Sequence, residues 1–145
     1  MINHTRFRII AFGKVQKEWI KAGISLYRKR LPGLIIIELR ESNPKQELRS
    51  IKLSIKKNEK LIILNERGTF YNSIDFSKEL IKHESSRLVF LIGGADGIPP
   101  EILSLPHDSL SLSQMTFPHD IARLLLLEQI YRACSISQGK PYHRS

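Results

Sequence analysis

Three stretches hold side chains of the right types and spacing for chemistry. The chain closes on "QGKPYHRS", setting Tyr142, His143 and Arg144 side by side. An aromatic face, a proton carrier and a planar cation thus stand where chains usually carry dispensable polar residues. A second stretch, "LVFLIGGADGIPPE", runs an apolar segment into Gly93, Gly94 and Gly97, then Pro99 and Pro100. Glycines at the carboxyl end of a strand let a ligand approach the backbone, and in open α/β sheets ligands bind at that edge; a tight turn without a ligand would read almost the same. The third is "SLSLSQMTFPHDIARLLLLEQIYRA". Pro118 suits the first turn of a helix, Asp120 complements its positive end, and His119 beside them is either a proton acceptor or a residue of the capping region. Glu128 and Arg132, spaced i, i+4, fit a functional pair or a simple ion pair.

Other chemistries lack their signatures. There is no dinucleotide fingerprint on an early strand and no phosphate loop ending in Gly-Lys-Ser/Thr. The single cysteine, Cys134, excludes an internal disulfide, and five scattered histidines show no zinc spacing, so no metal is expected.

The elements that must position these residues alternate in type. Strands are predicted at "FRIIAFG", "LIIIELR", "KLIILN" and "RLVFLIGG", with a shorter one at "SLSLSQM". Helices fit between them, over 15–31, 45–57 and 73–83, briefly after Pro99, and over 118–137. Alternation of this kind, with several continuous apolar runs, predicts an α/β fold with a mostly parallel sheet and helices on both faces. On the first helix Val15, Trp19, Ala22 and Leu26 form the expected core stripe. Leu124 to Leu127 cover nearly the whole circumference of the last helix, which calls for cover on more than its sheet side, naturally from a second subunit. "ESNPKQ" reads as a surface loop.

With 145 residues the chain is sized for one domain, 1–145, and its 41% hydrophobic and 26% charged content is that of a soluble protein. No apolar run approaches the roughly 18 residues that span a bilayer. The start, "MINHTRFRIIAFGK", lacks a signal-peptide core, so a cytoplasmic location is expected. Residues 1–60 hold 15 Lys and Arg against 5 Asp and Glu, whereas 61–145 hold 8 against 9. Such asymmetry fits a protein that docks a polyanion on one surface. Lys14, Lys17, Lys21 and Arg28 fall on one side of the first predicted helix and form a candidate rail for a phosphate backbone, or a solvated face.

"LIGGADG", "SLSQMTFPHDIARLLLLEQIYRA" and the terminal "PYHR", with "RIIAFGK" at the start, together resemble the small bacterial SPOUT-class methyltransferases that modify N3 of a pseudouridine in 23S ribosomal RNA. The likeness runs along essentially the whole chain. It implies a SPOUT-type fold with a C-terminal trefoil knot, a homodimer, S-adenosyl-L-methionine as donor, and 23S rRNA in the assembled ribosome as substrate. By the same likeness the donor site comprises Leu64, Gly93, Gly94 and Gly97 with the loop Leu112, Ser113, Gln114, Met115, Thr116 and Phe117. His119, Glu128 and His143 are the candidates for taking the N3 proton, and Tyr142, His143 and Arg144 are expected over the donor pocket of their own subunit or its partner. Arg123, Arg132 and Arg144 suit phosphates or base carbonyls. A SPOUT enzyme for transfer RNA or a ribose hydroxyl, and a non-catalytic ribosome-binding factor, are the rival readings.

Overall fold

Continuous β-branched runs become strands covered on both faces. In the computed structural model, which describes residues 1–144, β1 (Phe7–Phe12), β2 (Ile35–Leu39), β3 (Glu59–Phe70), β4 (Arg87–Ile92) and β5 (Asp108–Ser111) form one sheet in the order β2-β1-β4-β3-β5. Every pairing is parallel. The connections carry α1 (Glu18–Arg30), α2 (Pro44–Ser54), α3 (Ser73–Lys82) and α4 (Pro100–Leu103), and α5 (His119–Ser137) follows the last strand. The expected α/β class and parallel sheet are therefore present.

Side-chain alternation divides the core into two layers. Phe7, Ile9, Phe90 and Ile92 face α1, α3 and α5, meeting Ile24, Phe76, Leu126 and Ile130. Ile10, Phe12, Ile63 and Leu91 face α2 and α4, meeting Ile51 and Ile102. Strands covered on both sides need no polar alternation, and all six residues of β1 are buried. The six include Arg8, whose guanidinium makes two 2.6 Å bonds to Glu59 and one of 2.7 Å to the Ser54 carbonyl. Burial raises the Glu59 carboxyl, but the bonds from Arg8 and the Lys56 amide outweigh it and hold the group below the usual carboxylate range.

Several expectations change. The stripe Val15, Trp19, Ala22, Leu26 is not the buried face of α1: Val15 precedes the helix, and Trp19 and Leu26 are 60% and 46% exposed. The inner face is Ile20, Ile24 and Tyr27. Gly23 decides it, because the Leu124 side chain of α5 lies 3.0 Å from where a Cβ would stand. "ESNPKQ" is half helix: the Asn43 side chain accepts from the Gln46 amide at 2.9 Å, and Pro44 opens α2. The third strand outlasts its predicted end at Asn65. Leu110 stands opposite both Leu64 and Thr69, so residues 65–68 arch away from β5 before pairing resumes. β5 stops at Ser111, and residues 112–117 are loop.

Candidate active site

A cleft of about 820 Å³ opens at the carboxyl edge of β3, β4 and β5. Its floor is Leu64 and Ile92, and its walls are the glycine turn after β4, the loop after β5 and the arch of β3. The turn closes through a 3.0 Å bond from the Gly97 amide to the Gly94 carbonyl, with Gly97 at φ +76°. At Gly93 a Cβ would lie 2.8 Å from the Gly97 carbonyl carbon, so no larger residue fits without moving the turn. The loop is tied to the arch. Ser111 Oγ donates to the carbonyls of Ser113 at 2.8 Å and Glu66 at 3.2 Å, and Thr116 Oγ1 donates to the Glu66 carboxylate. Ser113 Oγ in turn accepts from the Met115 amide at 3.0 Å.

Of the residues expected here, Leu64, Gly93, Gly94, Gly97, Leu112, Ser113, Met115, Thr116 and Phe117 all line the cleft; Gln114 is exposed and does not. His119 joins them at the first turn of α5. Its Nδ1 is buried without a hydrogen-bond partner, an unmet polar group of the kind a ligand or water fills. Asn65, Glu66 and Arg67 were missed, because "NERG" after an apolar run reads as the end of a strand. Gly68 was the available signal: a Cβ there would sit 2.8 Å from the Ser109 carbonyl carbon, a close approach between neighbouring strands.

The other expected residues gather at the far end of α5. Arg132 holds Glu128 through bonds of 2.6 and 2.8 Å, the pairing that their spacing suggested. The Tyr142 ring meets Tyr131 edge-on at 4.8 Å and lies under the Arg132 guanidinium at 4.8 Å, and its hydroxyl is 3.0 Å from that of Tyr27. Burial, the Tyr27 bond and the Glu128 charge push the Tyr142 phenol up to about 12. Arg132 also donates to His143 Nδ1 at 3.1 Å. A guanidinium has no acceptor, so in this contact Nδ1 accepts and the ring proton belongs on Nε2. His119 and Arg132 are thirteen positions apart, about 20 Å of helix at 1.5 Å per residue. In this structure the tail therefore packs at the opposite end of α5 from the cleft. Arg144 is exposed.

Arg123 is not available to a phosphate. It is 2% exposed, paired with Glu38 and donating to the Gly13 carbonyl at 3.0 Å, so it braces α5 against β1 and β2. Lys14, Lys17, Lys21 and Arg28 are exposed as expected, but Lys14 and Lys17 precede α1, and Lys21 is paired with Glu18 at 3.3 Å. Burial pushes the Cys134 thiol up to about 11, which leaves it protonated and unsuited to attack. Among the described residues no three His, Cys, Asp or Glu side chains gather as a metal site, and no helix is long and apolar enough to cross a membrane.

The sheet is all parallel, and its ligand-sized cleft lies between a glycine turn and a loop leading into the last helix. The family described as "Predicted SPOUT methyltransferase" matches residues 5–143, and the chain belongs to it. Its relatives are more particular. It is 55% identical to ribosomal RNA large subunit methyltransferase H of Synechococcus sp. (strain CC9311), over 99% of this chain and 100% of that protein. The protein of the same name from Prochlorococcus marinus (strain MIT 9211) is 53% identical over the full length of both. Among solved structures, a probable methylase family protein from Haemophilus influenzae Rd KW20 superposes with TM-score 0.61 at 13% identity, over 97% of this chain and 71% of that one. The SpoU methyltransferase AviRb from Streptomyces viridochromogenes superposes with TM-score 0.53 at 14% identity, over 93% and 62%. A second structure of AviRb, in complex with the cofactor AdoMet, gives 0.50 at 12% identity, over 88% and 57%. These structural likenesses concern the fold.

Proposed function

We propose that this protein methylates N3 of a pseudouridine in 23S rRNA on the assembled ribosome, using S-adenosyl-L-methionine, as a cytoplasmic homodimer. The observation that carries the reading is the cleft: all but Gln114 of the residues assigned to the donor from sequence wall one space of about 820 Å³, within the range of small-molecule sites. The full-length relatives are named for modifying large-subunit ribosomal RNA.

When bound, S-adenosylmethionine supplies a methyl group made electrophilic by its sulfonium. Leu64, Leu112 and Met115 offer apolar surface for an adenine, and the backbone of the glycine turn and of the loop offers hydrogen bonds. Glu66 adds a carboxylate to the wall, suited to a cationic donor. The chain's largest contribution is positioning, since holding two reactants in line removes much of an entropic barrier.

The N3 proton needs an acceptor. Glu128 is engaged by Arg132 and His143 Nδ1 by the same guanidinium, whereas His119 borders the cleft. We assign His119 to the proton and His143, through its Nε2–H, to a base carbonyl. Tyr142 and Arg144 then stack on and hold the target nucleotide. Because α5 separates tail and cleft, a partner subunit running antiparallel supplies the tail to each cleft. The trefoil knot belongs to this reading on the family likeness, and the arch at 65–68 and the loop at 112–117 are the segments it would involve.

The test is transfer of labelled methyl from S-adenosylmethionine to assembled ribosomes, isolated subunits and free 23S rRNA, with mapping of the labelled nucleoside. Label in a 23S pseudouridine of assembled ribosomes alone is the expected result. Label in free RNA or another nucleoside overturns the target, and donor binding without label overturns catalysis.

A further inference from the structure

We propose that the outer face of α2, with the groove beneath its carboxyl end, docks an RNA phosphate backbone; this rests on the RNA substrate argued above and says which surface meets it. Lys45, Arg49 and Lys52 recur at i, i+4 and i+7 on α2, and Lys56 continues the row just past its end. All four are exposed. Neighbours at that spacing stand about 5–6 Å apart along one helix face. Below them a groove of about 580 Å³ runs along the amino-terminal edge of the sheet, walled by Lys52, Lys56, Lys57 and Lys60 over Leu61 and Leu105.

What distinguishes this face from an ordinary solvated one is the absence of offsetting charge. Residues 42–60 hold six Lys and Arg and two carboxylates, and both carboxylates are spent inward. Glu47 is buried and accepts from the Ser42 amide at 3.1 Å, while Glu59 is locked to Arg8. Among the described residues none of the six cations stands in an ion pair. Asp108 is the one carboxylate left at the rim, and His107 Nδ1 is engaged by the Leu105 carbonyl at 2.6 Å. On α1, by contrast, Lys21 has Glu18 beside it.

The place of α2 gives the row a direction. The helix starts at the carboxyl edge of the sheet, where Glu41 touches the glycine turn and accepts from the Ala95 amide at 3.4 Å, and ends at the amino edge, about 16 Å away. A backbone lying along α2 therefore leads to the mouth of the cleft. A membrane surface fits poorly, since docking there needs apolar side chains to enter the acyl boundary and α2 exposes only Leu53.

The experiment compares two full-length variants with the parent: Lys45→Gln/Arg49→Gln/Lys52→Gln/Lys56→Gln on α2, and Lys14→Gln/Lys17→Gln/Lys21→Gln/Arg28→Gln around α1. Binding to purified ribosomes and to a labelled RNA hairpin is measured against KCl concentration, with S-adenosylmethionine titrations and thermal melts as controls. Each phosphate contact contributes roughly 0.7–0.9 to the log–log salt slope. The α2 variant should lower that slope by about 3 and weaken RNA binding at least tenfold, with donor affinity and melting unchanged. An unchanged slope in the α2 variant overturns the proposal, as does a loss confined to the α1 variant. RNA binding kept while contact with acidic ribosomal proteins is lost also overturns it and makes this a protein interface. A parent that binds donor but no RNA would instead sink the rRNA substrate itself.

Discussion

The two ends of α5 are built in opposite ways. At its amino end the cleft is framed by main chain: a glycine turn, a loop and the arch of β3, with apolar side chains as floor. At its carboxyl end the tail cluster is made of side chains, three tyrosines with Arg30, Arg132, Glu128 and His143 interlocked by ring contacts and polar bonds. The difference teaches where each end is vulnerable. A space framed by backbone has no slack for an added atom, whereas a side-chain network loses one interaction at a time.

The strongest way to break the comparison is to add one atom to the cleft. Gly93→Ala puts a Cβ 2.8 Å from the carbonyl carbon and 2.9 Å from the carbonyl oxygen of Gly97, contacts that only movement of the turn relieves. Donor affinity should fall at least a hundredfold by calorimetric titration, about 3 kcal/mol at 1.4 kcal/mol per decade, with far-ultraviolet circular dichroism unchanged. Gly97→Ala sharpens the point, because nothing lies within 4 Å of its Cβ and only the positive φ of +76° opposes it. About 1–2 kcal/mol of left-handed strain is the expected cost, so its effect on donor affinity should be smaller. Equal losses in the two variants would mean that flexibility of the turn, and not room at Gly93, matters.

Between the two ends, Arg123 fixes α5 to the sheet. Arg123→Ala leaves the Gly13 carbonyl unbonded and opens a cavity, while Glu38, 40% exposed, recovers part of its solvation. About 2–3 kcal/mol of stability should be lost, below the 3–5 typical of a fully buried broken pair, read as a lower urea midpoint at constant slope. Arg123→Lys should recover little, since an ammonium does not serve the carboxylate and the carbonyl with the same planar fork. If stability held and only the salt dependence of RNA binding changed, Arg123 would be a phosphate contact after all.

Arg123 also shows what the sequence could and could not convey. Strand order of types, the parallel sheet and the glycine turn were legible because local apolar runs and punctuation by Gly and Pro report local geometry. The buried role of Arg123 was not, because its partners Glu38 and Gly13 lie 85 and 110 positions away. The face of α1 failed for a related reason: two stripes fit its period, and Gly23 against Leu124 selects between them only in three dimensions. Asn65, Glu66 and Arg67 were hidden in an arch that depends on how β5 pairs with β3 on both sides of it. The tail residues were recognised as unusual, yet their docking away from the cleft was not, because it rests on Tyr27, 115 positions from Tyr142.

The smallest effect belongs to the tail, where a single hydroxyl can be removed. Tyr142→Phe keeps the ring against Tyr131 and Arg132 but deletes the bonds to Tyr27 and Glu128. About 1 kcal/mol is the expected loss in stability, the usual net worth of the 3.0 Å Tyr27 bond, since the Glu128 contact at 3.4 Å is long and adds little, with donor affinity unchanged. The pH dependence has a definite sign. Burial, the Tyr27 bond and the Glu128 charge raise the phenol from 10.0 to about 12 in the folded chain, so its contribution is complete below about pH 10 and is lost as pH rises through 12. Phenolate absorbance of the parent minus that of Tyr142→Phe should therefore titrate near 12. A difference curve centred near 10 would mean that the free protein does not hold its tail against Tyr27 and Tyr131. The side-chain end of α5 would then assemble only on a partner or on RNA, while the backbone end stands ready in the free chain.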